Sequence, residues 1–507
     1  MTAPGWLPVA IVATTLISGV AILITPERMA RTRTALNLLG AVATLVLVGL
    51  LVLGVSRGGT FAAHAPFLPG APLVLQSDPL SLLFVGLSAV LWLVTTLYAV
   101  GYLREGANRA RFFGFFAFCV SATMGVALAG NLVTFVLFYE MLTISTYPLV
   151  THRGDAASLR AGRLYLAYTL GGGASLILGA MLLHALHGSG GFVVGGLLSL
   201  AEARPSDAAL TLVFVLLVGG LGVKAALVPL HGWLPVAMVA PAPVSALLHA
   251  VAVVKAGAFG IVRVVYDLFG ERLAEALHLL PPLSLLAAAT IVWGSLRALA
   301  QDDLKRRLAY STVSQVSYIA LGVSLAHPVA ALGGVIHLVH QGIMKITLFF
   351  CAGAVAETTG VTRISGMDGL GRRMPWTMAA FTVAAVGMVG LPPTAGFVTK
   401  WFVASGALAS GQPWVLGLML VSSALNAAYF LPIVGRVWFA PPAEAPGPHP
   451  RGREASLLLV APAVITATLT VLAALFAEAR LSPLGWAEAL VLREFGFADA
   501  PPPGPEP

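Results

Sequence analysis

Apolar runs long enough to cross a bilayer recur along almost the whole chain. They fall near residues 5–25, 35–55, 79–102, 112–130, 132–150, 164–186 and 208–230. They continue near 244–266, 282–301, 308–326, 329–357, 376–408, 414–435 and 456–477. A spanning helix needs about 20 mostly apolar residues, and inside lipid only helices or closed barrels satisfy the backbone. The pattern predicts an all-α polytopic membrane protein of about 14 transmembrane helices. Only 10% of the residues are charged, against roughly 25% in an average soluble domain. The first run, Trp6 to Ile24, lacks a basic stretch before it and a small-residue cleavage site after it. It is read as a span and not as a removed signal peptide. The ending, Pro501 to Pro507, reads as a disordered tail.

A formal charge of +8 invites a nucleic-acid reading, but the placement of the charges favours a membrane. Of the 29 Lys and Arg residues, nineteen fall in alternate loops, from Arg28 in the first to Arg451 and Arg453 in the last. The intervening loops, with the end of the eighth span and the tail, hold Arg57, Arg204, Arg263, Arg272, Arg480 and Arg493. Basic residues concentrate in cytoplasmic loops. The alternation therefore supports the span count and predicts a cytoplasmic (inner) membrane protein with both termini outside. The cysteines Cys119 and Cys351 lie inside apolar runs without metal-ligand spacing. No metal, cofactor or redox centre is expected.

Four of the five lysines, Lys224, Lys255, Lys345 and Lys400, lie within apolar runs, and only Lys305 is in a loop. A charged side chain at the centre of a spanning helix costs roughly 2.5–3.5 kcal/mol even on the most lenient scale. Arg keeps its proton in proteins, whereas a desolvated Lys can release it near neutral pH. Lysines that snorkel to the interface or brace a buried acid are the static alternative. Only one acid, Glu140, sits squarely mid-span. A buried carboxylate needs a partner or it protonates, and the intramembrane lysines are its candidates.

Polar residues accompany the charges. His337, Gln341 and Lys345 recur at four-residue spacing and share a helix face, with His340 on the same side. The tenth span carries Ser311, Ser314, Gln315, Ser317 and Tyr318. His249 lies six residues before Lys255, off its face. Such groups serve either a relay or helix packing. Gly171-Gly172-Gly173 reads as close helix packing, with no strand–turn–helix context for nucleotide binding. Pro229 after Lys224, and Pro392-Pro393 before Lys400, predict breaks in helices 7 and 12. Broken helices bring freed carbonyls to mid-membrane depth. Two Pro-interrupted, Lys-bearing spans five spans apart suggest a five-helix repeat.

These residues carry a resemblance. Glu140 in its Phe-Tyr-Glu context, Lys224 through His231-Gly-Trp-Leu-Pro235, and Ala240-Pro-Ala-Pro-Val through Lys255 form one part of it. Asp303-Leu-Lys-Arg-Arg through Gln315, and Gly390-Leu-Pro-Pro through Lys400, form the other. Over about residues 80–440 the chain resembles the antiporter-like subunits of respiratory complex I (NADH:quinone oxidoreductase), energy-converting hydrogenases and Mrp sodium/proton antiporters. The wording around 243–266 and 337–400 most resembles the D-type subunit of Mrp antiporters.

The resemblance implies two inverted five-helix repeats, residues 111–270 and 280–437. Helices 1–3 (residues 1–110) precede them, and helix 14 with the tail (438–507) follows. It implies a proton path in which Glu140 and Lys224 form a coupled pair and Lys255 connects the halves. His337 and Lys345 would lie on a broken or bridging helix 11, with Lys400 at the exit. Gln341 departs from the pattern, since many members have His there. Lys400 argues against the complex I subunit type with Glu at that place, and the chain's ending argues against the type with a long lateral helix.

The expected function is proton translocation within a multi-subunit cation/proton antiporter. The partners implied are other membrane subunits, protons, sodium and lipid, with no nucleic acid. A proton-pumping subunit of complex I or a hydrogenase is the alternative. A membrane enzyme acting on lipid-linked substrates, with His231, His249 or Glu140 as base, is the alternative of another class, but no loop is long enough to suggest it. A passive scaffold has no need of four buried lysines.

Overall fold

The computed structural model of the chain describes residues 5–496 apart from 105, 107, 189, 200–204, 442–453 and 480. Arg204, Arg451, Arg453 and Arg480, and the Pro501–Pro507 tail, lie outside those residues.

The apolar runs fold as helices. They begin with α1 (Trp6–Ile24), α2 (Ala30–Ser56), α3 (Pro79–Tyr102) and α4 (Arg109–Leu128). α5 (Leu132–Val150), α6 (Ala156–His187) and α7 (Asp207–Lys224) follow, then the short α8 (Trp233–Val236), α9 (Ala242–Ala250), α10 (Val253–Arg263) and α11 (Glu271–Ala276). The second half has α12 (Leu280–Leu299), α13 (Leu304–Val323), α14 (Pro328–Thr359), α15 (Leu370–Arg373), α16 (Pro375–Val389) and α17 (Ala395–Ala409). α18 (Trp414–Phe439), α19 (Leu457–Leu475) and α20 (Pro483–Glu494) complete it.

Polar residues set where spans begin. The Asp78 carboxylate accepts from the Ser81 amide at 2.8 Å while the Ser81 hydroxyl accepts from the Asp78 amide, a reciprocal cap in front of α3. Asn131, Asp155, Ser206 and Asp303 accept in the same way from amides in the first turns of α5, α6, α7 and α13.

Among the described residues, twelve helical stretches are long and apolar enough to cross a membrane. The other two spans expected from the sequence are α13, whose hydroxyls and charges lower its hydropathy, and the interrupted pair α16–α17. Loop contacts bear out the alternation. Glu27 in the first loop accepts from the Ala110 amide beside the third, and Arg111 donates to the His152 carbonyl in the fifth. On the same face, Asp302 accepts from Ser365, and Arg436 pairs with Asp368.

The opposite face holds an element the sequence reading did not foresee, because it is short and lies between spans. Strands β1 (Ala62–Leu68) and β2 (Ala71–Gln76) form an antiparallel hairpin around Pro69-Gly70. Gly70 takes a left-handed φ of 74°, as a Pro-Gly turn requires. Asn131 Nδ2 donates to the Pro72 carbonyl and the Val74 amide to Thr134 Oγ1, both at 2.8 Å, tying the hairpin to the start of α5.

Helices 7 and 12 are broken, as Pro229 and Pro392-Pro393 predict. α7 stops at Lys224, and α16 and α17 are separated by residues 390–394. They are the fourth spans of the two five-helix units that the resemblance implies. A third break, at Val251–Ala252 between α9 and α10, has no proline to announce it. Helix 11, which the resemblance implied to be broken or bridging, is α14, and it runs unbroken through 32 residues. Its Gly333-Gly334 and Gly342 are absorbed by close packing. A Cβ on Gly334 would lie 2.9 Å from Gly322 Cα, and one on Gly342 would lie 2.9 Å from the Ala250 carbonyl.

Two stretches, 242–269 and 328–359, are buried along the whole of their hydrophobic windows, whereas the other ten candidate spans are only partly covered. α9–α10 and α14 therefore form the centre. They carry His249, Lys255, His337, His340, Gln341 and Lys345.

Candidate proton path through the membrane interior

Each break leaves the carbonyl end of a half-helix inside the protein, and a basic side chain sits at each. Lys224 is the last residue of α7, and His249 lies in the last turn of α9. Lys400, on α17, folds back over the end of α16, where its ammonium donates to the Val389 carbonyl at 2.6 Å and the Met388 carbonyl at 3.5 Å. The partial negative charge of a helix C-terminus favours this placement. Gly390 makes room for it. Its φ is 91°, and a Cβ there would lie 2.5 Å from Lys400 Cδ.

In the first unit, Lys224 is fully buried. Its ammonium donates to the Tyr139 carbonyl and lies 3.3 Å from the centre of the Tyr139 ring. The Trp233 indole takes up the neighbouring freed carbonyl, Val223, at 2.8 Å. Gly257 lets α10 approach, since a Cβ there would lie 2.3 Å from the Ala225 amide. Glu140, half-buried on α5, is close enough for its charge to act on Lys224. Its Oε1 has no hydrogen-bond partner, and no ion pair joins the two among the described residues. The glycine run on α6 divides its work. Gly172 meets Val223 and the Gly220 carbonyl, while a Cβ on Gly173 would lie 2.3 Å from Glu140 Oε1. Close packing explains Gly172, and room for the carboxylate explains Gly173.

At the centre, Lys255 Nζ, both ring nitrogens of His249 and His337, and both amide atoms of Gln341 are buried without partners among the described residues. The His249 ring lies 4.6 Å from the Phe349 ring. An unpaired buried polar group typically costs about 1–3 kcal/mol. Here such groups gather on the two central helices.

In the second unit the basic groups have hydroxyl partners. Lys345 Nζ donates to Ser311 Oγ at 2.6 Å and to the Leu308 carbonyl at 3.2 Å. Ser311 Oγ lies 2.9 Å from the Tyr429 hydroxyl, which donates to Asn426 Oδ1. Lys400 donates to Ser423 Oγ at 2.7 Å. Tyr318 donates to Ser422 Oγ at 2.7 Å, and its ring lies 5.3 Å from that of His337. His340 Nδ1 is 3.0 Å from Thr399 Oγ1.

The structure gives one expected member, Ser314, a partner away from the lysines. Ser314 pairs with Ser295 at 2.9 Å between α12 and α13, a packing contact. Gln315 Nε2 is buried and unpartnered. Sequence reasoning missed Ser422, Asn426 and Tyr429 of α18, although their spacing places them on one helix face. Lys305, read as a loop residue, lies in the first turn of α13 and donates to the Ala240 carbonyl at 2.5 Å, just ahead of α9. No cluster of three or more His, Cys, Asp or Glu among the described residues is placed to hold a metal ion.

Comparison with known proteins agrees with this architecture. Residues 129–426 match the family described as NADH:quinone oxidoreductase/Mrp antiporter, transmembrane. NADH-quinone oxidoreductase subunit N of Desulforudis audaxviator is 36% identical over 390 residues, 76% of each chain. The D-type subunit of the Na+/H+ antiporter of Bacillus subtilis is 29% identical over 407 residues, covering 80% of this chain and 81% of that one. A chain of the Mrp complex from a Dietzia species has the same fold, with a TM-score of 0.85, 23% identity and 97% of each chain covered. The chain belongs to the NADH:quinone oxidoreductase/Mrp antiporter transmembrane family, as one of its antiporter-like membrane subunits.

Proposed function

We propose that this chain carries protons along the membrane interior as one subunit of a multi-subunit cation/proton antiporter of the Mrp type, in the role of the D-type subunit. It would sit in the cytoplasmic membrane with both termini outside, and residues 111–270 and 280–437 would act as its two transport units. The proton passes from Lys224 to Lys255, then by His337 and Lys345 to Lys400, with Glu140 setting the charge beside Lys224. His249, His340, Tyr318, Gln315 and Gln341 line the route, and Ser314 is set aside as a packing residue. Gln341 holds no proton itself, so that step belongs to the neighbouring histidines and water.

One observation carries the reading. Among the described residues the four intramembrane lysines have carbonyls, hydroxyls or no partner at all, and none has a carboxylate within 4.0 Å. A lysine kept as permanent charge needs a counter-ion at that depth. The fully buried Arg263 shows the contrast, paired with Asp78 at 2.7 Å and Asp267 at 3.0 Å. Arg holds charge, whereas Lys can load and unload a proton. The test is proton flux in vesicles containing the intact complex. Lys224→Ala that left flux unchanged would sink the proposal.

The similarity to a subunit of NADH-quinone oxidoreductase favours a second reading, in which electron transfer in partner subunits drives the same path. Flux that follows a sodium gradient supports the antiporter, and flux that follows quinone reduction supports the second reading.

A further inference from the structure

The hairpin face carries a second charged cluster, which shares α10 with Lys255 but none of the path's residues. Asp78, at the start of α3, accepts from Arg263 at 2.7 Å and from the Ser81 amide at 2.8 Å. Asp267, in the π-helical turn Val264–Phe269 that continues α10, accepts from the same guanidinium nitrogen at 3.0 Å. Two phenyl rings, Phe192 and Phe259, each lie 5.1 Å from the guanidinium carbon. Glu494, the last residue of α20, closes the cluster. Its Oε2 accepts from the Gly195 amide at 3.1 Å, while its Oε1 is buried with no partner among the described residues. Arg263 Nε and Nη2 are likewise buried and unpartnered. Arg263 is 1% exposed and Glu494 8%.

The charges do not balance. One guanidinium faces three carboxylates, and among the described residues the further cation acting on all three is the half-buried Arg493, which leaves the carboxylates in excess. Tyr266, on the same turn as Asp267, sets its ring 5.9 Å from Phe495. Glu271 of α11 acts on Tyr266, Glu488 lies exposed on α20 itself, and His327 heads α14, which also packs on α20. None of these supplies a buried positive charge. A buried carboxylate without a cation takes up a proton.

We propose that Asp78, Arg263, Asp267 and Glu494 form a proton-binding site, and that the proton held on Glu494 fastens helix α20 against α3 and α14. The apolar face of α20 (Leu484, Ala487, Leu490 and Val491) is buried whichever form Glu494 takes. The proton therefore tunes the docking and does not create it. Burial, and next the charge of Asp267, push the Glu494 carboxyl up to about 8 from an ordinary 4.5. A docked group with a raised carboxyl pKa binds more protons than the undocked one between those values. Docking is strongest below the ordinary value, weakens as pH rises through the raised one, and is level above it.

The experiment is amide hydrogen exchange of residues 483–494 in the intact complex, corrected for intrinsic rate, between about pH 5 and about pH 9. The expected wild-type result is a fall in protection of about tenfold or more, levelling off at the alkaline end. Glu494→Gln, neutral at every pH, is expected to keep protection flat. Asp267→Asn, which removes the repelling charge but leaves Glu494 in place, is expected to complete the fall at lower pH. A flat wild-type profile overturns the proposal, as does Glu494→Gln tracking the wild type. So does restoration of protection at about pH 9 by sodium, which assigns the site to a metal cation.

Discussion

Lys224 gives its ammonium to the backbone carbonyl and ring face of Tyr139, and not to the carboxylate of Glu140 one residue further along α5. The acid is kept apart, with one oxygen unpartnered against Gly173. A direct ion pair would hold both charges in place, whereas an acid acting through space only biases the lysine's charge. The separation suits a group that must change protonation.

Lys224→Arg distinguishes exchange from charge. Arginine preserves the positive charge and the carbonyl contact but does not release its proton. Proton flux in vesicles is expected to fall on the order of 10²-fold in Lys224→Arg, as in Lys224→Ala. Full flux in the arginine variant contradicts a relay through this position.

Gly173→Ala places a methyl 2.3 Å from Glu140 Oε1 and must displace the carboxylate. Flux is expected to fall about tenfold, while melting of the complex stays nearly unchanged because Ala favours a helix interior by roughly 1 kcal/mol over Gly. Gly171→Ala, which points into open space, is the matched control and should leave flux alone.

Ser311 and Ser314 sit on one helix yet should behave oppositely. Ser311→Ala removes the 2.6 Å acceptor of Lys345 and severs it from Tyr429, so flux should drop about tenfold or more. Ser314→Ala removes a packing bond to Ser295 and should cost only about 1 kcal/mol of stability, read by thermal melting.

Asp78→Ala removes the 2.7 Å partner of the buried Arg263 but leaves Asp267 paired with it, and losing such a charged hydrogen bond costs about 1.5–3 kcal/mol. The melting temperature in detergent should fall accordingly. Burial raises the Asp78 carboxyl, but the charge and hydrogen bond of Arg263 outweigh it and hold it below 3.8. Stability from this pair is present above that value and is lost as pH falls through the lowered one.

The sequence by itself determined the solvent, the alternation of loops and the two proline breaks. These follow from local chemistry: length and hydropathy for the spans, basic residues for the loops, the missing amide of proline for the breaks. It also singled out the four lysines of the proposed path, because a lysine in an apolar run is conspicuous. The tertiary structure decided which helices are central. Lipid is as apolar as a protein core, so hydropathy does not separate a lipid-facing span such as α2 from the enclosed α9–α10 and α14. It decided between a broken and a continuous helix 11, since α14 runs through, and it placed a break in span 8 at Val251–Ala252 between His249 and Lys255. It decided the partners as well. Tyr139 lies 85 residues from Lys224, and Ser311 lies 34 residues from Lys345 and 118 from Tyr429. Those contacts depend on how distant helices pack, and no local pattern encodes them.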